Sequence, residues 1–438
     1  MSFFRRFHEG MCHGARSFAQ WDISTSKRIL ADRRRLALLL LLLVPIAVGG
    51  FAFADEVAET LPALLGSKQA YGPAHYTTAI FLASTAVGVV AGLITGCIGA
   101  GGGFIIAPAL MSAGVKGILA VGTDLFHIFA KAIMGSVLHR KLGNISVSLA
   151  STFLIGSIAG ATAGGWINRT LYELNPILSD AFITSIYVLI LGFLGFYGMA
   201  DFLRSRKAAP APRAESGGKK RPAEHVTGIA RKLQTITLPP MLTFDEGVVP
   251  GGRRISSVFL VMSGGLVGLA AAIMGVGGGF LTFPIFVYVL GVSSATTVGT
   301  DIFQIVFTAG YAGIGQYAVY GFIFYTLAMG MLLGSLLGIQ VGTLVTKVVP
   351  GVTIRGFYAL AVMSAFVNRV FALPGKLVSL EVLPISRETA KLVENVGMYT
   401  FFIVLGSFAV WVFWTFFSNV RTLRGEEERA YVATEVQT

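Results

Sequence analysis

Residues 99–108 read GAGGGFIIAP, and residues 275–284 read GVGGGFLTFP. Each stretch closes an apolar run, and in each a proline, Pro108 or Pro284, stands five positions after the last glycine. A glycine costs a helix ~1 kcal/mol relative to alanine, so three in succession interrupt one. Proline is tolerated in the first turn of a new helix, where no internal N–H bond is lost. Both stretches therefore predict a helix, a break, and a second helix starting near Gly103 or Gly279.

Composition supplies the solvent. The chain has 438 residues, 54% hydrophobic and 13% charged, with a mean hydropathy of +0.73. A soluble domain carries about 25% charged residues. Residues 256–300 and 302–346 contain no Asp, Glu, Lys or Arg. At ~1.5 Å per helical residue such runs cross a ~30 Å hydrocarbon core more than once. The expected class is an all-α polytopic membrane protein, because the dyad alternation of an outer-membrane barrel is missing.

Apolar spans are predicted at about 36–54, 79–98, 122–138, 147–167, 181–203, 256–274, 298–318, 323–346, 352–371 and 396–418, with shorter apolar pieces at 104–115 and 280–291. The first could be a signal peptide, since a basic flank and an Ala-x-Ala precede Asp55. The long segment before it favours a retained span.

The glycine runs belong to a longer duplication. Gly99 matches Gly275, VGTDLF at 121–126 matches VGTDIF at 298–303, and Gly156, Ser157, Gly160 and Gly164 match Gly334, Ser335, Gly338 and Gly342. The offsets drift only from 176 to 178. Residues 79–203 and 256–371 read as two transporter repeats, with the spans 36–54 and 396–418 outside them. The segment 204–254, rich in Pro, Gly and charge, reads as a flexible linker.

The net charge of +12 does not indicate nucleic acid. Of 34 Lys and Arg, 8 lie in residues 1–35 and 11 in 204–254, beside apolar spans. This is the positive-inside pattern. It predicts a cytoplasmic N-terminal segment 1–35, a cytoplasmic linker and a cytoplasmic tail 419–438 in an inner membrane. The bookkeeping then requires an odd number of crossings per copy, so that the second copy is inverted relative to the first. Inverted repeats with broken or re-entrant helices are a mark of secondary transporters.

Non-helical backbone at membrane depth survives only where protein or a watery cavity covers it. A helix start offers free N–H groups and partial positive charge, and glycine lets a ligand come close. Gly99, Gly101, Gly102 and Gly103 with Gly275, Gly277, Gly278 and Gly279 are therefore expected to line one shared midplane anion site. Gly156, Gly160 and Gly164 and their partners have the i, i+4 spacing of close helix packing.

The stretch GTDLFHIFAK, 122–131, puts Asp124, His127 and Lys131 at i, i+3 and i+7, on one helical face. The second copy has Asp301, Gln304 and Thr308 at the same spacings. Ionisable residues in a span cost about 2.5–3.5 kcal/mol each on insertion scales, so they usually face an interior pathway. Lys131 suits anion attraction, with Thr123, Thr300, Gln304 and Thr308 as further substrate-binding candidates. His127, flanked by Asp124, and Asp301 are candidates for coupling to a proton or other ion. Thr123 and Thr300 could instead be N-caps with the aspartates in the first turn, and Lys131 could snorkel toward lipid headgroups. Two cysteines, Cys12 and Cys97, exclude a disulfide framework. No metal-ligand cluster, phosphate-binding loop or nucleophile elbow argues for an enzyme, a metal or a cofactor.

Together these motifs resemble the sulfite exporter and toluenesulfonate uptake permease family (TauE/SafE), over roughly 79–203 and 256–371. The positions that carry the resemblance are Gly99, Gly101, Gly102, Gly103, Pro108, Gly122 and Thr123, with Gly275, Gly277, Gly278, Gly279, Pro284, Gly299 and Thr300. The resemblance implies an inner-membrane carrier of sulfite, organosulfonates or related small anions, expected to be an exporter and ion-coupled. An anion channel or a membrane anion-binding receptor is the alternative reading.

Overall fold

The computed structural model describes residues 78–98, 102–141, 145–207, 228–245, 252–346, 348–349 and 351–420. The segments 1–35 and 36–54, Gly99, Gly101 and nearly all of the tail 419–438 lie outside the described residues.

The described chain is almost entirely helical. The first copy consists of α1 (Thr78–Ile98), α2 (Gly103–Ser112), α3 (Gly117–Lys141), α4 (Val147–Leu174) and α5 (Pro176–Lys207). A short helix, α6 (Gly228–Thr235), and a two-stranded ribbon, β1 (Met241–Phe244) and β2 (Arg253–Ser256), follow. The second copy consists of α7 (Ser257–Met274), α8 (Gly279–Pro284), α9 (Ser294–Gly310), α10 (Tyr325–Val345) and α11 (Gly351–Ser379), and α12 (Arg387–Ser418) closes the bundle. Seven of these, α1, α4, α5, α7, α10, α11 and α12, are long and apolar enough to cross a membrane. Leu82, Ile155, Phe193, Leu266, Ile403 and Trp414 point outward, each more than half exposed, as a lipid-facing surface requires. The protein is a multi-pass membrane protein.

The two copies exchange their first helices. α1 runs along α10 of the other copy, with Gly88 against Met331, Gly92 against Ser335 and Gly96 against Ile339. α7 runs along α4 in the same manner, with Gly156 against Val261, Gly160 against Gly265 and Gly164 against Leu269. Numbers rise together on both partners, so each pair is parallel. The spaced glycines thus serve close packing: a Cβ on Gly160 would lie 2.0 Å from the Gly265 carbonyl, and one on Gly334 would lie 2.0 Å from the Thr85 carbonyl. Without side chains the backbones come close enough for dense dispersion contact, which lipid does not otherwise drive.

Corresponding helices run in opposite directions where they meet. Along α3 and α9 with the π-helical turns Tyr311–Tyr317 that continue it, Gly122 lies beside Tyr317, Phe126 beside Gly313 and Phe129 beside Gly310. Along α5 and α11, Gly192 lies beside Phe366, Gly198 beside Ala359 and Phe202 beside Gly356.

The helix break falls where the glycines are. α1 ends at Ile98 and α7 at Met274, and α2 and α8 begin at Gly103 and Gly279. The prolines, however, are not in the first turn. Pro108 is the sixth residue of α2, and Pro284 is the last of α8, where the chain passes into a π-helical turn, Ile285–Leu290. Proline removes one N–H from the ladder, so Pro284 ends the α-helical pattern, while α2 continues past Pro108 for one more turn.

The connector 204–254 is not uniformly without structure. Residues 208–227 lie outside the described residues. Its later part docks on both copies: Phe244 and the adjoining Ile255 are buried with Leu149 and Phe153 of α4 and with Phe286 and Leu290 of the π-helical turn. Asp245 accepts from the Ser293 N–H (2.7 Å) and hydroxyl (2.8 Å) and lies 3.7 Å from Arg253, whose guanidinium donates to the Gly291 carbonyl. Composition alone hid this, because its apolar residues are few and alternate in a short ribbon.

Candidate anion site between the two helix breaks

The two breaks meet. A Cβ on Gly103 would lie 3.0 Å from Val276 Cα, and one on Gly275 would lie 2.7 Å from Val121 Cα. Ile128 of α3 touches the Cβ positions of both Gly103 (2.8 Å) and Gly277 (2.7 Å). Ile305 of α9 lies 3.0 Å and Asp301 Oδ2 lies 3.1 Å from that of Gly279.

The two copies need glycine for different reasons. Gly275, Gly277 and Gly278 have φ of +78°, +68° and +89°, a region that L side chains rarely enter. Gly102 has φ of −64°, but a Cβ there would lie 2.7 Å from the Ala91 carbonyl.

Thr123 and Thr300 are not caps of their own helices, because α3 starts at Gly117 and α9 at Ser294. Each lies in the interior of its helix and caps a helix that begins elsewhere. Thr123 Oγ1 accepts from the N–H of Phe324, which precedes α10 of the second copy (2.9 Å). Thr300 Oγ1 accepts from the N–H of Ser146, which precedes α4 of the first copy (3.0 Å). The matching Gly122 admits the Phe322 carbonyl, 2.3 Å from its Cβ position.

The polar stripes make a second reciprocal pair. Asp124 and His127 are fully buried, with His127 Nδ1 3.4 Å from Asp124 Oδ1 and Nε2 2.8 Å from Ser335 Oγ on α10. Ser335 in turn donates to the Gly88 carbonyl at 3.2 Å. Asp124 Oδ2 is buried with no hydrogen-bond partner. In the second copy Gln304 donates to Asp301 (2.9 Å), Thr308 donates to Gln304 (2.8 Å), and Thr308 lies 2.7 Å from Ser157 on α4. Ser157 and Ser335 occupy matching positions of the repeat, so each stripe is anchored on the other copy's glycine-striped helix. Among the described residues no hydrogen bond joins one stripe to the other; the first faces α1 and α10, the second α4.

Lys131 is half-buried and reaches Thr95 Oγ1 on α1 at 3.3 Å. The same oxygen accepts from the Gly102 N–H at 2.9 Å. Among the described residues no carboxylate lies within ion-pairing distance of this ammonium.

Three polar anchors had no signal in the motifs. Arg369, 2% exposed, donates to Asn368 Oδ1, the Pro108 carbonyl and Ser112, and so holds the C-terminal end of α2. Arg169 donates to the Gln316 carbonyl (2.7 Å) and stacks over the Tyr320 ring at 3.9 Å. Thr95 sits in an otherwise apolar helix. A cavity of about 470 Å³ between α1, α2, α10 and α12 is lined by Val87, Ile105, Phe324 and Leu405, with Ser84 as its hydroxyl, and offers an anion no charge. Among the described residues no group of His, Cys, Asp and Glu could hold a metal ion.

The chain is 23% identical over 262 residues to a probable membrane transporter, YjnA, of Bacillus subtilis, covering 59% of this chain and 87% of that one. It is 22% identical over 275 residues to a second from the same organism, YunE (61% and 89% covered), and 24% identical over 290 residues to a probable membrane transporter of Xylella fastidiosa (65% and 88% covered). No solved structure matches the chain. The pattern of the sulfite exporter TauE/SafE family matches residues 84–369, which takes in both helix breaks, both polar stripes and both exchanged helix pairs. The chain therefore belongs to the TauE/SafE family and is a membrane transporter.

Proposed function

We propose that the protein is a secondary transporter that exports small sulfur-containing anions, sulfite or organosulfonates, across the inner membrane in exchange with or together with a proton. One observation carries this reading: Asp124, His127 and Lys131 share one face of a helix inside the bundle, next to the first helix break. Ionisable groups within a membrane bundle are expensive and mark substrate and proton paths. Lys131 supplies attraction for an anion that reaches Thr95 and Gly102. The Asp124–His127 pair, with one carboxylate oxygen unpartnered, supplies a place for the coupling proton.

The antiparallel run of α3 against α9 and of α5 against α11 supports an inverted repeat, and the basic residues of 1–35 and 204–254 support a cytoplasmic connector and cytoplasmic termini. Such an architecture suits alternating access about a site between the copies. The test is flux into proteoliposomes across sulfite, thiosulfate, sulfate, sulfoacetate and taurine. Saturable flux with counterflow of a preloaded anion is expected for at least one of the sulfur anions. Lys131→Met should raise its half-saturating concentration roughly tenfold or more, the scale of a hydrogen bond to a charged group. Non-saturating flux without counterflow would make the protein a channel, and no flux of any of the five would remove the anion reading.

A further inference from the structure

The contacts of Thr95 Oγ1 are saturated in an unusual way. A hydroxyl has one proton to give and two lone pairs to receive. Thr95 gives its proton to the Ala91 carbonyl one turn back (2.8 Å), and receives the Gly102 N–H (2.9 Å) and the Lys131 ammonium (3.3 Å). The two donors are those that an oxyanion oxygen would seek: a fixed cation and the N–H at the break before α2. The Lys131 contact is long for a hydrogen bond of this kind, whose usual upper range is about 3.2 Å.

The pairing is confined to one copy. In repeat register Lys131 corresponds to Thr308 and Thr95 to Ala271, so the second copy lacks both the ammonium and the hydroxyl it meets. The hydroxyl occurs in the copy that has the cation.

We propose that Thr95 is a resident stand-in for substrate: its hydroxyl oxygen occupies the position of one oxygen of a bound sulfur oxyanion, and its side chain turns away to admit that oxygen to Lys131 and the Gly102 N–H. Threonine in a helix has two accessible χ1 positions, each able to bond a carbonyl of the preceding turn. One rotation therefore frees both donors without stranding the hydroxyl proton. In the empty transporter Thr95 keeps the ammonium and the N–H satisfied, and returning to them it helps expel the anion. Thr95 is thus a gate residue of the anion site. The proposal rests on the reading of the Lys131 region as that site.

The test is calorimetric binding of sulfite and of methanesulfonate to the full-length protein in lipid nanodiscs. Thr95→Val removes the oxygen at nearly constant shape and leaves both donors unsatisfied when the site is empty. It should bind about tenfold more tightly or better, the scale of a lost hydrogen bond to a charged group. Its maximal transport rate should fall, because release loses its competitor. Thr95→Ser, which keeps the oxygen, should bind as the unmodified protein does. Thr95→Ala, the residue that the second copy carries in this register, serves as a second variant should valine disturb folding, and should also tighten binding. If Lys131→Met weakens binding while Thr95→Val and Thr95→Ala bind no more tightly than the unmodified protein, the gate is refuted and the site stands. If neither anion binds the unmodified protein, or Lys131→Met binds normally, the site reading fails and the gate with it.

Discussion

Adding one methyl group at Gly160 should unfold the transporter far more readily than adding one at Gly265, although both glycines lie in the α4–α7 contact. The ideal Cβ of Gly160 falls 2.0 Å from the Gly265 carbonyl oxygen and 2.7 Å from the Leu269 nitrogen. Real Cβ contacts essentially never fall below 3.0 Å, so the two helices must separate by about 1 Å along this stretch. Both obstacles are backbone, so no rotamer change relieves them. Separation also loosens the neighbouring close approaches at Gly156 and Gly264, where an added Cβ would fall 1.8 Å from the Val261 carbonyl oxygen and 2.1 Å from that of Phe153. Overpacking of a well-filled contact costs about 1–3 kcal/mol, and an obstacle made wholly of backbone belongs at the upper end. About 3 kcal/mol is a change of roughly 150-fold in the folded-to-unfolded ratio. At Gly265 the nearest atom to an added Cβ is 3.7 Å away, an ordinary contact, so Gly265→Ala should stay within about 1 kcal/mol of the unmodified protein. Equilibrium unfolding in mixed detergent, followed by intrinsic fluorescence, measures both. Equal midpoints for Gly160→Ala and the unmodified protein, or an equal loss for Gly265→Ala, would refute the idea that the glycine stripe is a close backbone contact.

Thr123→Val removes the acceptor of the buried Phe324 N–H and should cost about 1–3 kcal/mol in the same unfolding assay, while Thr123→Ser keeps most of the stability. A Val variant as stable as the unmodified protein would show that the loop before α10 is held by other contacts. His127→Gln gives the first copy the residue of the second, Gln304, and should flatten the pH dependence of transport between about 5 and 8, the range in which histidine normally titrates. His127 faces Asp124 on its own helix and Ser335 on α10, and Lys131 lies one turn further along. An unchanged pH profile would place the coupling proton elsewhere.

Much of the local architecture was legible in the chain. The break after Ile98 and Met274 follows from the cost of consecutive glycines in a helix, and the new helices begin at the expected Gly103 and Gly279. The prolines were misplaced, because sequence distance from the break does not say whether a helix tolerates a missing N–H in its second turn. The polar stripe was legible as a face, since a 3.6-residue period depends only on neighbours within one element. What each face meets was not. Ser157 and Ser335 were visible as parts of the repeat with nothing to mark them as partners of the stripes, and Thr95 gave no signal in an apolar helix. Arg369 was silent as well, because its partners Pro108 and Ser112 lie more than 250 positions away.

The sequence by itself determined the solvent, the long apolar helices among the described residues, the paired motifs and the helix breaks. Hydropathy, glycine cost and repetition are properties of residue type and order, and need no partner to be read. Only the tertiary structure decided that each copy lends its first helix to the other, that Thr123 and Thr300 cap helices of the opposite copy, and that Lys131 and the first helix break converge on one oxygen of Thr95. Those outcomes rest on contacts whose geometry is set by packing. A glycine stripe marks a close approach without naming its partner, and a hydrogen-bonding side chain carries no record of which distant group the fold will bring to it.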